Sequence, residues 1–444
     1  MFRECAAITG MLLVLVPNIP LKAQITDSVF SAIPLERWAA ETESNPPKFR
    51  WTARVLPAEL SNHQRLKAKV EIQVDGAELV SRRGHGKLLL LVQIKDAANL
   101  IYQTHQPFPL DEVKDDAARS NFFYVQEAFV KPGDYQVICG LLDTKTGDHA
   151  VTQRPLHVNP LKNDPLPNLW ADLPAVDFIR EAKPPDDSLL PYLKGRLRLP
   201  VEPRRALQVE VLVNLSGGAL PPPLSLVPPP LGRLPNRPKI PTAGASQRLD
   251  NIVAAMKVLS QLDLRDSSLH LTMLDVSKRK VVFEQNLAAG MDLDWSLVRE
   301  GLEAADPNKI DVKALAGRNQ NAQFFMDEVR SRLQAAKGGG TRVLVVLSAP
   351  MTVEGGKKNP LQSAAGATVF YLRYHTLPPP PTLAQLEGNQ EAFGRVTDYM
   401  PATTEPFDTL MAVLKPLQPR SFDVFTPDHF RKALASLLEE LGKL

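Results

Sequence analysis

Residues Arg342-Val-Leu-Val-Val-Leu-Ser348 set five apolar side chains in an unbroken row. A strand with one wet face alternates apolar and polar residues, so such a run marks a strand covered on both faces. Cover on both faces demands helices above and below, the arrangement of an α/β sheet. The neighbouring sequence supplies them. Gln208–Val213 reads as a short strand, and Leu249, Ile252, Val253, Met256 and Leu259 recur at helical spacing. Leu269–Leu274 and Lys280–Glu284 are joined only by Asp-Val-Ser-Lys-Arg. A parallel crossover needs a dozen residues or more, so these two strands must pair antiparallel. Helical segments over Trp295–Ala304 and Asn321–Ala336 precede the Arg342 strand, and Ala367–Arg373 follows it. A helix around Phe407–Leu417 leads to a last strand, Phe422–Phe425. Thr426-Pro-Asp-His429 then offers a capping hydroxyl with proline at the first helical position. Phe430, Leu434, Leu437, Leu438 and Leu441 form the apolar face of the closing helix. The sum is six strands in a mostly parallel, doubly wound sheet.

The first half has another rhythm. Leu66, Ala68, Val70, Ile72 and Val74 alternate with Lys67, Lys69, Glu71 and Gln73, the period of a half-buried strand. Lys87–Lys95, Phe122–Val130, Asp134–Leu142 and Ala150–Val158 are further strands, separated by turns such as Lys131-Pro-Gly-Asp134. Strands at this spacing predict a β-sandwich over residues 49–158. Pro132-Gly-Asp-Tyr135 resembles the turn and tyrosine of immunoglobulin-like domains, although Val137 stands where their cysteine would be. Residues 159–203 read as a proline-rich connector in which Trp170 and Leu173 pack on a neighbour. A hairpin-like pair, Arg196–Val201 and Ala206–Asn214, opens the α/β domain of residues 204–444.

The first 23 residues read as an export signal: Arg3, the apolar run Met11–Val16, and a cut after Ala23 that leaves Gln24 as the mature start of an N-terminal segment, 24–48. No stretch approaches the ~20 apolar residues of a spanning helix. A secreted or periplasmic protein without a transmembrane span is expected. The formal net charge of +3 gives no case for nucleic acid as a partner. Cys5 falls in the leader, so Cys139 alone remains and can form neither an intrachain disulfide nor a cysteine metal site; its apolar strand context implies a buried, inert thiol.

The C-terminal strand order, with an antiparallel third strand at one edge, resembles a von Willebrand factor A (vWFA) domain over roughly residues 204–444. The closing Phe425-Thr-Pro-Asp-His-Phe-Arg-Lys-Ala-Leu-Ala-Ser-Leu-Leu-Glu-Glu-Leu441, with an export signal and a preceding β-domain, is similar to the vWFA-related form of exported acidobacterial proteins. The resemblance implies a Rossmann-like fold and a divalent-metal site at the carboxyl end of the sheet, built from Asp-x-Ser-x-Ser, a threonine and a later aspartate. Here the first motif is Asn214-Leu-Ser216-Gly-Gly218, and Ala349 stands at the later aspartate. Asn319 or Asn321 is the nearest polar candidate for the threonine. Mg²⁺ and Mn²⁺ want oxygen ligands with at least one or two carboxylates. An amide and a hydroxyl without a carboxylate make a poor site, so no metal and no other cofactor is expected. Asn214 and Ser216 would instead hydrogen-bond the loops together.

A proline-rich insertion, 219–246, replaces the short loop usual at this point. Pro221, Pro222, Pro223, Pro228, Pro229 and Pro230 adopt extended polyproline II, and Arg233 and Arg237 add the basic residues common in groove-binding peptides. Another proline run follows Leu377. These features lead to a non-enzymatic binding or scaffold protein with an unidentified protein partner at the cell envelope. An α/β serine hydrolase using Ser216 or Ser348 with His270 or His375 is the alternative, and it requires a serine–histidine contact of about 3 Å. Metal-dependent adhesion through non-standard ligands is a third reading.

Overall fold

The computed structural model describes residues 27–41, 49–179, 193–216, 243–288, 290–305, 317–334, 340–355, 360–362, 366–375 and 408–444. The expected leader lies outside them, as does the insertion through residue 242, with Gly218, the six prolines named above and Arg233 and Arg237.

After a helix α1 (Leu35–Glu41), the first half forms two four-stranded sheets. One has the order β1 (Trp51–Leu60), β2 (Leu66–Asp75), β5 (Asn121–Val130), β8 (Val176–Phe178). The other runs β4 (Ile101–Pro109), β3 (Lys87–Asp96), β6 (Gly133–Asp143), β7 (His149–Val158). A short helix α2 (Gly76–Ser81) follows β2, capped by Asp75, whose carboxylate accepts from the Ala77 and Glu78 amides. Every pairing in both sheets is antiparallel. The alternation in β2 does what it predicted: Leu66, Ala68, Val70, Ile72 and Val74 are all buried, in one cluster with Leu88, Leu90, Val92 and Ile94 of β3 and Val137, Cys139 and Leu141 of β6. On its other face strand β3 carries Leu89 and Leu91, and the N-terminal segment covers them. Phe30, Ile33 and Leu35 bury themselves against Leu91, Ile138 and Val151. At the β5–β6 corner the Tyr135 hydroxyl donates to the Lys131 carbonyl at 2.9 Å.

The second half contains one six-stranded mixed sheet of order β13 (Lys280–Leu287), β12 (Ser268–Asp275), β10 (Leu207–Asn214), β14 (Thr341–Ser348), β15 (Ala367–Tyr374), β16 (Arg420–Val424). All neighbours are parallel except β12 and β13, the pair whose link is too short for a crossover. Strand β14 is buried on both faces. Val343, Val345 and Leu347 share a core with helices α3 (Ala243–Leu259), α4 (Trp295–Ala304) and α7 (Pro427–Lys443). Leu344 and Val346 face α5 (Asn321–Gln334) and α6 (Thr409–Leu414). The Thr426 hydroxyl accepts from the His429 amide at 3.3 Å, and Pro427 opens α7, as the sequence implied.

Three local expectations are corrected. Residues Leu199–Val201 do not form a hairpin with β10; as β9 they pair parallel with β11 (Leu262–Leu264), because Leu199, Val201, Leu262 and Leu264 bury together on the shared core. The connector is not all irregular, since Val176–Phe178 extends the first sheet as β8. Helix α3 begins at Ala243, inside the stretch read as insertion.

Trp170 and Leu173 are buried where the first half meets the second. The Trp170 indole N–H donates to the Gln64 carbonyl at 2.6 Å, and its ring lies 4.6 Å from the Arg431 guanidinium on α7. Asp164 grips the same guanidinium with both oxygens, at 2.6 and 2.7 Å. One buried cluster runs without a break from Phe49 to Leu441.

Candidate functional site

From β10 the chain crosses to β12 on one side and from the adjacent β14 to β15 on the other, all parallel, so the two connections diverge at the carboxyl ends of β10 and β14. Open α/β sheets bind ligands in the crevice made at such a point. Asn214 ends β10 and Ser348 ends β14, next to each other by register. The Asn214 amide donates to the Ser348 hydroxyl at 2.8 Å and lies 3.0 Å from the Met351 sulfur. Its oxygen accepts from the Ser216 amide at 3.1 Å. Both of the amide's polar ends are therefore spent inside the protein.

The sequence reading found no carboxylate here, and that is corrected: Asp275, the last residue of β12, points its carboxylate at Ser216. Its Oδ1 accepts from the Ser216 hydroxyl (3.0 Å), the Ser277 hydroxyl (2.6 Å) and the Lys278 amide (3.0 Å). The Lys278 ammonium stands 3.5 Å from Oδ2. Ser216 also accepts from the Ser277 amide at 2.9 Å, so both sides of its hydroxyl are used. An aspartate that caps its own turn is a recognisable pattern, and Asp275-Val-Ser-Lys278 is one. Its contact with Ser216, 59 residues away in the chain, carries no local signature.

Asn214, Ser216, Asp275, Ser348 and Ala349 are all 4 % exposed or less, which closes the crevice to solvent. Ala349 is buried in the apolar cluster, where a carboxylate would carry a desolvation cost. The segment after it is stitched down. The Thr409 amide donates to the Met351 carbonyl at 3.1 Å, the Val353 amide to the Thr409 hydroxyl at 2.6 Å, and the Ala322 amide to the Glu354 carbonyl at 3.1 Å. Gly355 has φ +90°, and a Cβ there would fall 1.8 Å from the Asn319 carbonyl oxygen, so only glycine lets the two loops touch. Asn319 thus contributes backbone, while the Asn321 side chain accepts from Arg279 at 3.0 Å. A fixed cation, not an open ligand position, stands beside Asn321.

The serine–histidine contact is not made by the described residues. Ser348 donates to the Ala349 carbonyl at 2.8 Å. His270 pairs with Glu210 and His375 with Asp423, each at 2.7 Å. Nearby, the Tyr371 hydroxyl donates to Asp408 at 3.2 Å; burial raises the Asp408 carboxyl above its usual range and raises the Tyr371 phenol further. Among the described residues no group of three or more His, Cys, Asp or Glu is arranged to hold a metal ion. No helix there is long and apolar enough to cross a membrane.

No family model matches the chain, and no curated protein matches it. Among solved structures, an X-ray structure of a Northeast Structural Genomics Consortium target is 12% identical, covers 26% of this chain and 91% of its own, and has a TM-score of 0.16. A crystal structure from Bordetella pertussis described as an ApaA protein is 9% identical, covers 26% and 98%, and has a TM-score of 0.15. Likeness this slight carries no conclusion about fold or activity.

Proposed function

We propose that the chain is an exported, non-enzymatic binding or scaffold protein, built from an immunoglobulin-like β-sandwich and a vWFA-like domain that has given up its metal site. The observation that carries the reading is the closed crevice: the carboxylate beside Ser216, that of Asp275, is neutralised by Lys278 and accepts from Ser216, Ser277 and a backbone amide. A cation entering there would have to displace all four. The strand order, with the antiparallel strand at the β13 edge, supports the vWFA-like part. The Tyr135–Lys131 bond supports the sandwich, because a tyrosine at this corner bonding backwards to the chain is typical of immunoglobulin-like domains. The hydrolase reading lacks its serine–histidine contact among the described residues. Recognition then falls to exposed surface, and the partner proposed is a protein of the cell envelope.

Thermal unfolding in EDTA, then in excess Mg²⁺, Mn²⁺ or Ca²⁺, tests this. Metal at about 100 times its dissociation constant stabilises a binding protein by roughly 2.7 kcal/mol, a shift of several degrees at about 2–4 °C per kcal/mol. No shift with any of the three ions is expected. A clear shift would overturn the metal-free reading and favour adhesion through rebuilt ligands.

A further inference from the structure

A sheet edge is a template for pairing with another chain, and natural edges are blunted by proline, charge or cover. Most edges here follow that rule: β1 carries Pro57, β4 Pro107, β7 Pro155, β13 Lys280 and β16 Arg420. One stretch has none of these devices. On the side of β5 away from β2, the pairing strand is β8, which reaches only residues 128–130. Ile179 extends that line by one bond, its amide donating to the Glu127 carbonyl at 2.9 Å. Beyond it, Asn121-Phe-Phe-Tyr-Val125 faces no strand among the described residues. Its five residues include no charge, proline or glycine.

The ladder fixes which backbone groups are open. Successive residues of a strand turn their amide and carbonyl to opposite edges. Ser120 accepts from the Gly76 amide on the β2 side, whereas Glu127 and Lys131 bond toward the β8 line, each at 2.9 Å. Asn121, Phe123 and Val125 therefore present their N–H and C=O at the open edge. Side chains there are open as well: Phe123 is 64 % exposed and Val125 41 %, while Tyr124 between them is buried.

We propose that two copies of the chain pair antiparallel along this edge, about a twofold axis at Phe123, joining their first sheets into one. The stretch is self-complementary. With Phe123 facing Phe123 of the second copy, Asn121 faces Val125, and each facing pair exchanges two backbone hydrogen bonds. The two Phe123 rings lie side by side on one face as a cross-strand aromatic pair, and no like charges meet. Such a twofold contact uses the same patch on both subunits. The edge belongs to the first half, apart from the Asn214–Ser348 crevice, so a dimer here does not depend on the metal-free reading.

Sedimentation equilibrium of the 444-residue chain across the micromolar range tests this. The wild type should approach twice the 49.0 kDa chain mass. Phe123→Lys and Phe123→Glu each set like charges opposite one another across the axis, and each should be monomeric alone. Mixed in equal amounts, they should pair again. A monomeric wild type overturns the proposal. So does a variant that still dimerises, or a mixture that stays monomeric. Should a variant not fold, amide exchange at Phe123 and Val125 of the wild type decides. Protection that rises with protein concentration supports the dimer. Protection independent of concentration would mean that this chain's own continuation past Ile179 takes the edge, and unprotected amides at every concentration would leave it open to another protein; either refutes the pairing of two copies.

Discussion

Asp164→Ala isolates what the ion pair at the junction of the two halves contributes. Arg431 is 2 % exposed, and its guanidinium has as acceptors the two Asp164 oxygens, at 2.6 and 2.7 Å, and the Leu166 carbonyl at 2.9 Å. Its Nη1 already lacks a partner. The alanine variant therefore strands a buried cation with one carbonyl acceptor. Removing one member of a buried pair costs about 3–5 kcal/mol, most of it the desolvated charge left behind. At about 2–4 °C per kcal/mol, the midpoint should fall by roughly 6–20 °C. The double variant Asp164→Leu, Arg431→Met removes both charges, and apolar replacement of a buried pair is often neutral or stabilising by about 1–4 kcal/mol. It should therefore melt above the single variant. Urea and thermal unfolding followed by tryptophan fluorescence measure both, Trp170 lying against the guanidinium. A single variant within about 1 kcal/mol of wild type, the worth of an exposed pair, would refute the reasoning. A double variant less stable than the single one would do the same. Burial works against the Asp164 charge, but the Arg431 hydrogen bond and the Leu166 amide hold its carboxyl below the ordinary range. That contribution is present above the unfolded carboxyl pKa of about 3.9 and is lost as pH falls through the lower folded value.

His63 gives a second acid response. Its pKa falls from 6.5 to about 3 on folding, so across that window the unfolded chain binds the extra proton and stability declines as pH drops. His63→Phe should flatten the decline between pH 6.5 and 3, and an unchanged slope would count against the assignment. Burial pushes the Cys139 thiol up to about 12. Peptide mapping after iodoacetamide treatment at pH 8 should find Cys139 unmodified in the native protein and alkylated once it is unfolded. A Cβ at Gly140 would lie 2.9 Å from a Leu35 methyl. Gly140→Ala should therefore lift α1, speeding amide exchange over residues 28–41 and altering the fluorescence of Trp38, which stacks on His149 at 3.9 Å; exchange at the wild-type rate would show that the contact gives way without moving the helix.

What the sequence made legible follows from the range of the forces involved. Alternation in β2, the four-residue link of β12 to β13 and the Thr426-Pro427 helix start are local, and each appears where its residues predict. The pairing of β9 with β11 is not local: two three-residue strands align only because their leucines and Val201 share a core already built by longer elements. The candidate site divides in the same way. Asn214, Ser216 and Ala349 could be located by their place at strand ends. Asp275 was hidden because its importance lies in a partner from another strand, and the role of Lys278 became visible only with the carboxylate it neutralises.

The N-terminal cover of β3 and β6 also sets an order of events. Phe30, Ile33 and Leu35 leave the ribosome early, yet the side chains they bury against are Leu91, Ile138 and Val151. Contacts across so many residues wait on the closure of long loops. Until β7 has been made, the first stretch of the described chain has no surface to lie on, so three large apolar residues remain exposed during synthesis. A chaperone or holdase with affinity for short apolar segments would find its clearest target there, and would be released by the arrival of Val151.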